Sequence, residues 1–106
     1  MDNFEAIYKI LKTLEAAMDI PDFDISQIDS DKLKISRYRW ARYIEMMADV
    51  GYITGIRVYR DICGELQIEN EDIRITLKGL EYLQENTFMQ KLYRTAKGIK
   101  EVIPGI

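Results

Sequence analysis

The chain has 106 residues, 47% of them hydrophobic and 31% charged, the balance of one soluble globular domain and too apolar for a disordered segment. It has no histidine and a single cysteine, which excludes an imidazole base, a Cys/His zinc site and an intrachain disulfide. A net charge of −3 argues against a uniformly basic nucleic-acid binder.

Asp2 and Glu5 have the spacing of a capping box, and Phe4, Ile7, Tyr8, Leu11 and Leu14 then recur at helical spacing. This first helix is expected to stop near Met18, because Pro21 lacks an amide donor and restricts Ile20 before it. Ile25, Ile28 and Leu33, set among aspartates, are spaced for a short helix or two turns, and one short helix is expected within Asp24 to Leu33. Ser36 is a good N-cap for a third helix over residues 37–50. Its inner stripe is Trp40, Ile44 and Met47, widened by Tyr43 and Val50, and Gly51 suits the left-handed stop after it.

The period then changes from helical to alternating. Ile56 and Val58 face one way, and Arg57 and Tyr59 face the other, as a half-buried strand requires. A turn at Asp61-Ile62-Cys63-Gly64-Glu65 leads to a second alternation at Leu66 and Ile68. Asn70, Glu71 and Asp72 are turn-like, and Ile73-Arg74-Ile75 forms a short strand or the approach to a helix. Thr76 caps a fourth helix with Leu77, Leu80 and Leu83 inside, ending near Asn86. Thr87 and Gln90 resemble another capping box, opening a fifth helix from Phe88 to about residue 101.

The order helix, short helix, helix, strand, turn, strand, helix, helix is that of a winged helix-turn-helix. The expected fold class is therefore α+β: three N-terminal helices, a β-hairpin wing and two C-terminal helices, in one domain spanning residues 1–106. Particular residues carry a closer likeness. The Ile35-Ser36 start, the Trp40-x3-Ile44 stripe and the exit Asp49-Val50-Gly51-Tyr52-Ile53 resemble the small YjcQ family of bacterial and phage proteins. So do the run Ile75-Thr76-Leu77-Lys78-Gly79-Leu80-Glu81-Tyr82-Leu83, the Glu85-Asn86 helix end and the Lys97-Gly98-Ile99-Lys100 tail. The resemblance covers nearly the whole chain and implies a winged-helix fold. It implies no activity.

Catalytic chemistry has few ingredients here. Carboxylates abound, but in a small domain they are mostly solvated surface, and Cys63 beside Gly64 at a hairpin tip reads as an inert thiol. Asp22-Phe23-Asp24-Ile25-Ser26 superficially matches a calcium loop, yet Gln27 stands where a glycine must turn the chain and Leu33 where a bidentate glutamate is needed. Lys78-Gly79 and Lys97-Gly98 lack the rest of a phosphate-binding loop. The expectation is a protein that is not an enzyme, with no cofactor and no metal.

The distribution of charge is more informative than its sum. Residues 1–31 carry two basic and eight acidic side chains, residues 32–60 seven basic and two acidic, and residues 61–106 six basic and eight acidic. A basic middle between acidic flanks is a patch signal. On a helix beginning at Ser36, the residues Arg37, Tyr38, Arg39 and Arg42 fall on the outer and N-terminal surface. There Arg can reach guanine bidentately and first-turn amides can meet phosphate. Arg57 and Arg60, on the first wing strand, would add contacts to the flanking backbone.

Double-stranded DNA is thus the expected partner, with Ser36, Arg37, Tyr38, Arg39, Arg42, Arg57 and Arg60 as its contacts and a regulator-like role. Asp61 and Glu65 in the wing turn weigh against it. The alternatives are a solvated basic helix face, paired with Glu45 or Asp49, and a non-catalytic protein-interaction module of phage or prophage origin on the same fold. The fifth helix carries Phe88, Leu92, Tyr93 and Ile99, enough apolar surface either to complete the monomer core or to form a homodimer through residues 88–101. Met1-Asp2-Asn3-Phe4-Glu5 is acidic, unlike a signal peptide, and no apolar run approaches the roughly 20 residues of a membrane span. With one lone cysteine, a cytoplasmic location without membrane attachment is expected.

Overall fold

In the computed structural model, residues 2–86 and residue 91 are described. Asp2 accepts a hydrogen bond from the Glu5 amide at 2.8 Å and opens helix α1, Asn3–Ala16. A 3-10 turn, Ala17–Asp19, ends it just before Ile20 and Pro21, as the proline predicts. Tyr8, Leu11 and Leu14 are buried along with Ala6 and Ile10. Phe4 is not. It is 61% exposed, because helical period gives the direction of a side chain but not how far along the helix the core extends.

Between Asp24 and Leu33 the chain forms the two turns that the spacing allows, a 3-10 turn at Ile25–Ile28 and the short helix α2 at Ser30–Leu33. The aspartates cause the division. Asp24 accepts from the Ser26 amide and Asp29 from the Lys32 amide, so each caps a turn of its own. Lys34 adopts the left-handed conformation at φ 57°, and its amide and that of Ile35 return to the Asp31 and Ser30 carbonyls. The connection to the next helix is only Lys34-Ile35-Ser36.

Ser36 accepts from the Arg39 amide at 3.1 Å and caps helix α3, Arg37–Asp49. Trp40, Ile44 and Met47 are buried as the stripe predicts, together with Tyr43 and Ala41. Val50 lies one residue past the helix and is exposed, so it does not widen the stripe. Gly51, at φ +85°, turns the chain back, and the Tyr52 amide closes onto the Met47 carbonyl at 2.8 Å. Trp40 donates its indole N–H to the Ile28 carbonyl at 2.7 Å, tying α3 to the turn that precedes α2.

Strands β1, Ile53–Arg60, and β2, Leu66–Ile75, form a two-stranded antiparallel hairpin. The turn-like Asn70-Glu71-Asp72 does not end β2; it is a bulge within it. Thr54 pairs with Arg74 and Ile56 with Asn70, so three residues of β2 stand opposite Gly55 alone. Asn70 accepts from the Ile73 amide at 2.9 Å, the local turn that its side chain favours, yet the ladder resumes on both sides. Gly55, at φ +80°, fits this close approach because a Cβ there would lie 1.8 Å from the Asp72 carbonyl oxygen.

Helix α4, Leu77–Glu85, is capped by Thr76, whose hydroxyl accepts from the Gly79 amide and donates to the Gly51 carbonyl. Leu83 is buried and Leu80 half-buried, but Leu77 is exposed. One core cluster joins Tyr8, Leu11 and Leu14 of α1, Ile28, Leu33, Trp40, Ile44 and Met47, the strand residues Ile53 and Ile73, and Leu83. The architecture is thus mixed α+β, four helices and a two-stranded hairpin among the described residues. The expected fifth helix, and the homodimer contact through residues 88–101, lie outside them apart from Lys91, which is helical.

Candidate nucleic-acid interface

α3 runs from Arg37 to Asp49 and the hairpin then doubles back, so the hairpin tip returns to the start of the helix. Two hydrogen bonds fix this arrangement. Arg37 donates to the Gln67 side chain at 3.1 Å and Tyr38 to the Glu65 carboxylate at 3.3 Å. Arg37 also lies over the Trp40 ring, 5.9 Å from its centroid, so a core residue supports the first arginine. Tyr38 is 67% exposed and projects beside the hairpin tip.

Arg39 points the other way, toward α1. Its Nη1 donates to the Asn3 side chain at 2.9 Å and to the Tyr43 hydroxyl at 3.4 Å, and Tyr43 itself donates to Asn3. Arg42 is exposed and makes no hydrogen bond or ion pair among the described residues. The ion pairs among those residues are Lys12–Glu15, Arg57–Glu69 and Arg74–Asp72. Arg37, Arg39 and Arg42 therefore keep their charge without a carboxylate partner there, and neither Glu45 nor Asp49 neutralises them.

The hairpin arginines are engaged differently. Arg57 pairs with Glu69 opposite it at 3.8 Å and stacks over Tyr59 at 5.0 Å. Arg60 donates to the Gly64 carbonyl at 3.0 Å and so closes the turn. Their partners all lie within the hairpin. The seven expected contact residues thus separate into Arg37 and Tyr38 against the tip, Ser36 as the cap of α3, Arg39 and Arg42 on the α1 side and outer face of α3, and Arg57 and Arg60 within the hairpin.

Asp61, an acidic obstacle to phosphate at the tip, has its carboxylate turned inward. It accepts from the Cys63 amide at 2.9 Å, the Glu65 amide at 3.0 Å and the Gln67 side chain at 3.0 Å. The Glu65 amide, followed by the Gln67 side chain, holds the carboxyl below its usual value. Asn3, Tyr43 and Gln67 carry no mark as site residues in the sequence, and Glu65 reads there only as a charge against DNA. Only the packing of α1 and the hairpin against α3 brings them to the arginines, and no local motif marks it.

A family model described as YjcQ protein matches residues 8–102, and so includes α3, the hairpin and α4. The chain belongs to the YjcQ family. No curated protein and no solved structure matches it. The YjcQ match therefore spans the whole candidate surface except the first turns of α1, where Asn3 supports Arg39. Among the described residues, no group of three or more Asp, Glu or Cys side chains is placed to hold a metal ion. Nor is any helix there long and apolar enough to cross a membrane.

Proposed function

We propose that this member of the YjcQ family binds double-stranded DNA as a winged-helix regulator does, with the start of α3 in the major groove and the hairpin as a wing against the flanking backbone. One observation carries the reading: three arginines on the first turns of α3, exposed and without carboxylate partners among the described residues, beside a hairpin tip fastened to the same helix end. The positive end of the α3 dipole adds to their field. The tight α2–Lys34-Ile35-Ser36–α3 connection, followed directly by the hairpin, supports the winged-helix arrangement. Arg37 and Arg42 are the groove-facing candidates. Arg57 and Arg60 contribute to the flanking backbone by exchanging Glu69 and the Gly64 carbonyl for phosphate.

The test is a fluorescence-anisotropy titration of the full chain against random-sequence duplexes over a salt series. Binding should weaken steeply with salt. Replacing Arg37, Arg39 and Arg42 together by Gln should flatten the slope by up to about 0.9 for each phosphate that is no longer neutralised. An absence of duplex binding at low salt, or a slope unchanged in the triple variant, would defeat the proposal.

A further inference from the structure

The α1 side of α3 holds apolar surface that DNA binding leaves uncovered. Phe4 and Ile7 of α1 and Tyr38, Arg39, Arg42 and Met46 of α3 line a groove of about 590 Å³. Phe4, Tyr38 and Met46 are exposed there, at 61%, 67% and 48%, and turn apolar surface to solvent. A duplex backbone has nothing to cover Phe4, Ile7 and Met46. The groove's charged side chains are Arg39 and Arg42; the other polar side chains lining it, Asn3, Ser36, Tyr38 and Tyr43, are neutral.

Arg39 is oriented in advance. Both of its hydrogen bonds use Nη1, to Asn3 and Tyr43, which leaves the Nε–Nη2 edge open among the described residues. That edge is one that grips a carboxylate through two parallel bonds. Arg42, on the next turn, has no partner there either.

We propose that the groove docks an acidic, apolar segment of a partner protein: a large apolar side chain over Ile7 and Met46 between Phe4 and Tyr38, with flanking carboxylates on Arg39 and Arg42. Charge complementarity selects this occupant. The chain's own residues 92–106 carry Arg94, Lys97 and Lys100 against Glu101, the wrong sign for a site whose charges are two arginines. The acidic run of a second copy, Asp19 to Asp31, is already folded, with Ile28 buried in the core. This docking stands without the DNA reading, since the peptide is bound in the absence of any duplex.

The experiment displays random short peptides against the immobilised full chain, then titrates the selected peptides by anisotropy. Enriched sequences should combine an aromatic or large aliphatic residue with neighbouring Asp or Glu. Met46→Glu, and separately Arg39→Gln with Arg42→Gln, should each lower their affinity about tenfold or more, through a repelling charge in the first case and missing charge-assisted hydrogen bonds in the second. Met46→Leu should hold affinity within about twofold, since leucine and methionine are near in volume. All replaced side chains are at least partly solvent-facing, and circular dichroism checks that each variant folds. No acidic-apolar enrichment, or selected peptides indifferent to Met46→Glu, overturns the proposal. So does self-association of the chain that Met46→Glu abolishes, because the occupant is then a second copy.

Discussion

Trp40→Phe looks conservative and should not be. Trp40 is 7% exposed, and its indole N–H donates to the Ile28 carbonyl at 2.7 Å. Phenylalanine keeps the aromatic body but leaves that carbonyl without a donor, a cost of about 1–3 kcal/mol. The smaller ring also opens a space of about 40 Å³, worth roughly 1 kcal/mol if the core does not collapse into it. Together these give about 2–4 kcal/mol, against the roughly 3–5 kcal/mol expected for Trp→Ala truncation. For a domain of this size that corresponds to a melting temperature lowered by roughly 10–20 °C. Urea denaturation followed by far-UV circular dichroism is the right assay, since Trp40 is the only tryptophan and its fluorescence disappears with it. A destabilisation of less than about 0.5 kcal/mol, the usual scatter for an uninvolved surface change, would refute the role of the indole bond.

The two tight glycines separate strain from collision. Gly55→Ala should cost more than about 2 kcal/mol in the same urea assay, because a Cβ there meets the Asp72 carbonyl oxygen at 1.8 Å in a left-handed backbone. Gly51→Ala, at φ +85° but with its nearest neighbour the flexible Lys78 side chain at 3.8 Å, should cost only about 1 kcal/mol; equal costs would mean that the bulge does not demand glycine. Asp61 should titrate below the ordinary value of 3.8, since the Glu65 amide and Gln67 side chain stabilise its carboxylate. Its folded pKa is depressed, so its contribution to hairpin stability is fully present above the unfolded value and fades as pH falls through the folded one. A carboxyl NMR titration with its midpoint at or above the unfolded value would contradict that.

How much of this was legible in the sequence follows from the range of each signal. Caps act over three residues, and Asp2, Ser36 and Thr76 were each readable and are each in place. Helical and strand periods act over a turn or two, and they located Trp40, Ile44 and Met47 as well as the alternation through Val58 and Ile68. At Asn70 to Asp72 a genuine local turn preference was overruled by the ladder on either side, which converts it to a bulge. Phe4, Val50 and Leu77, expected on inner faces, are exposed: Phe4 and Val50 lie at helix ends, and Leu77 is turned away from the buried Gly79 and Leu83 of its own helix.

The surface was legible as charge and not as arrangement. Composition marked the arginines of residues 32–60, yet their states depend on partners far along the chain: Gln67 for Arg37, Asn3 for Arg39, Glu69 for Arg57. Helical angle then sorts the α3 arginines in a way that counting cannot. Arg37 turns to the hairpin and is braced on Trp40, while Arg39 and Arg42 flank exposed Met46 and Phe4. In the two proposals a duplex on the start of α3 draws on Arg37 and Arg42, and an acidic segment beside α1 draws on Arg39 and Arg42, so they meet at Arg42. The basic patch is therefore one cluster of charge with two different borders, the hairpin tip at Arg37 and the Phe4–Met46 groove at Arg39 and Arg42. Charge counting alone does not distinguish these borders, because the residues that form them come from α1 and the hairpin, far from the arginines in sequence.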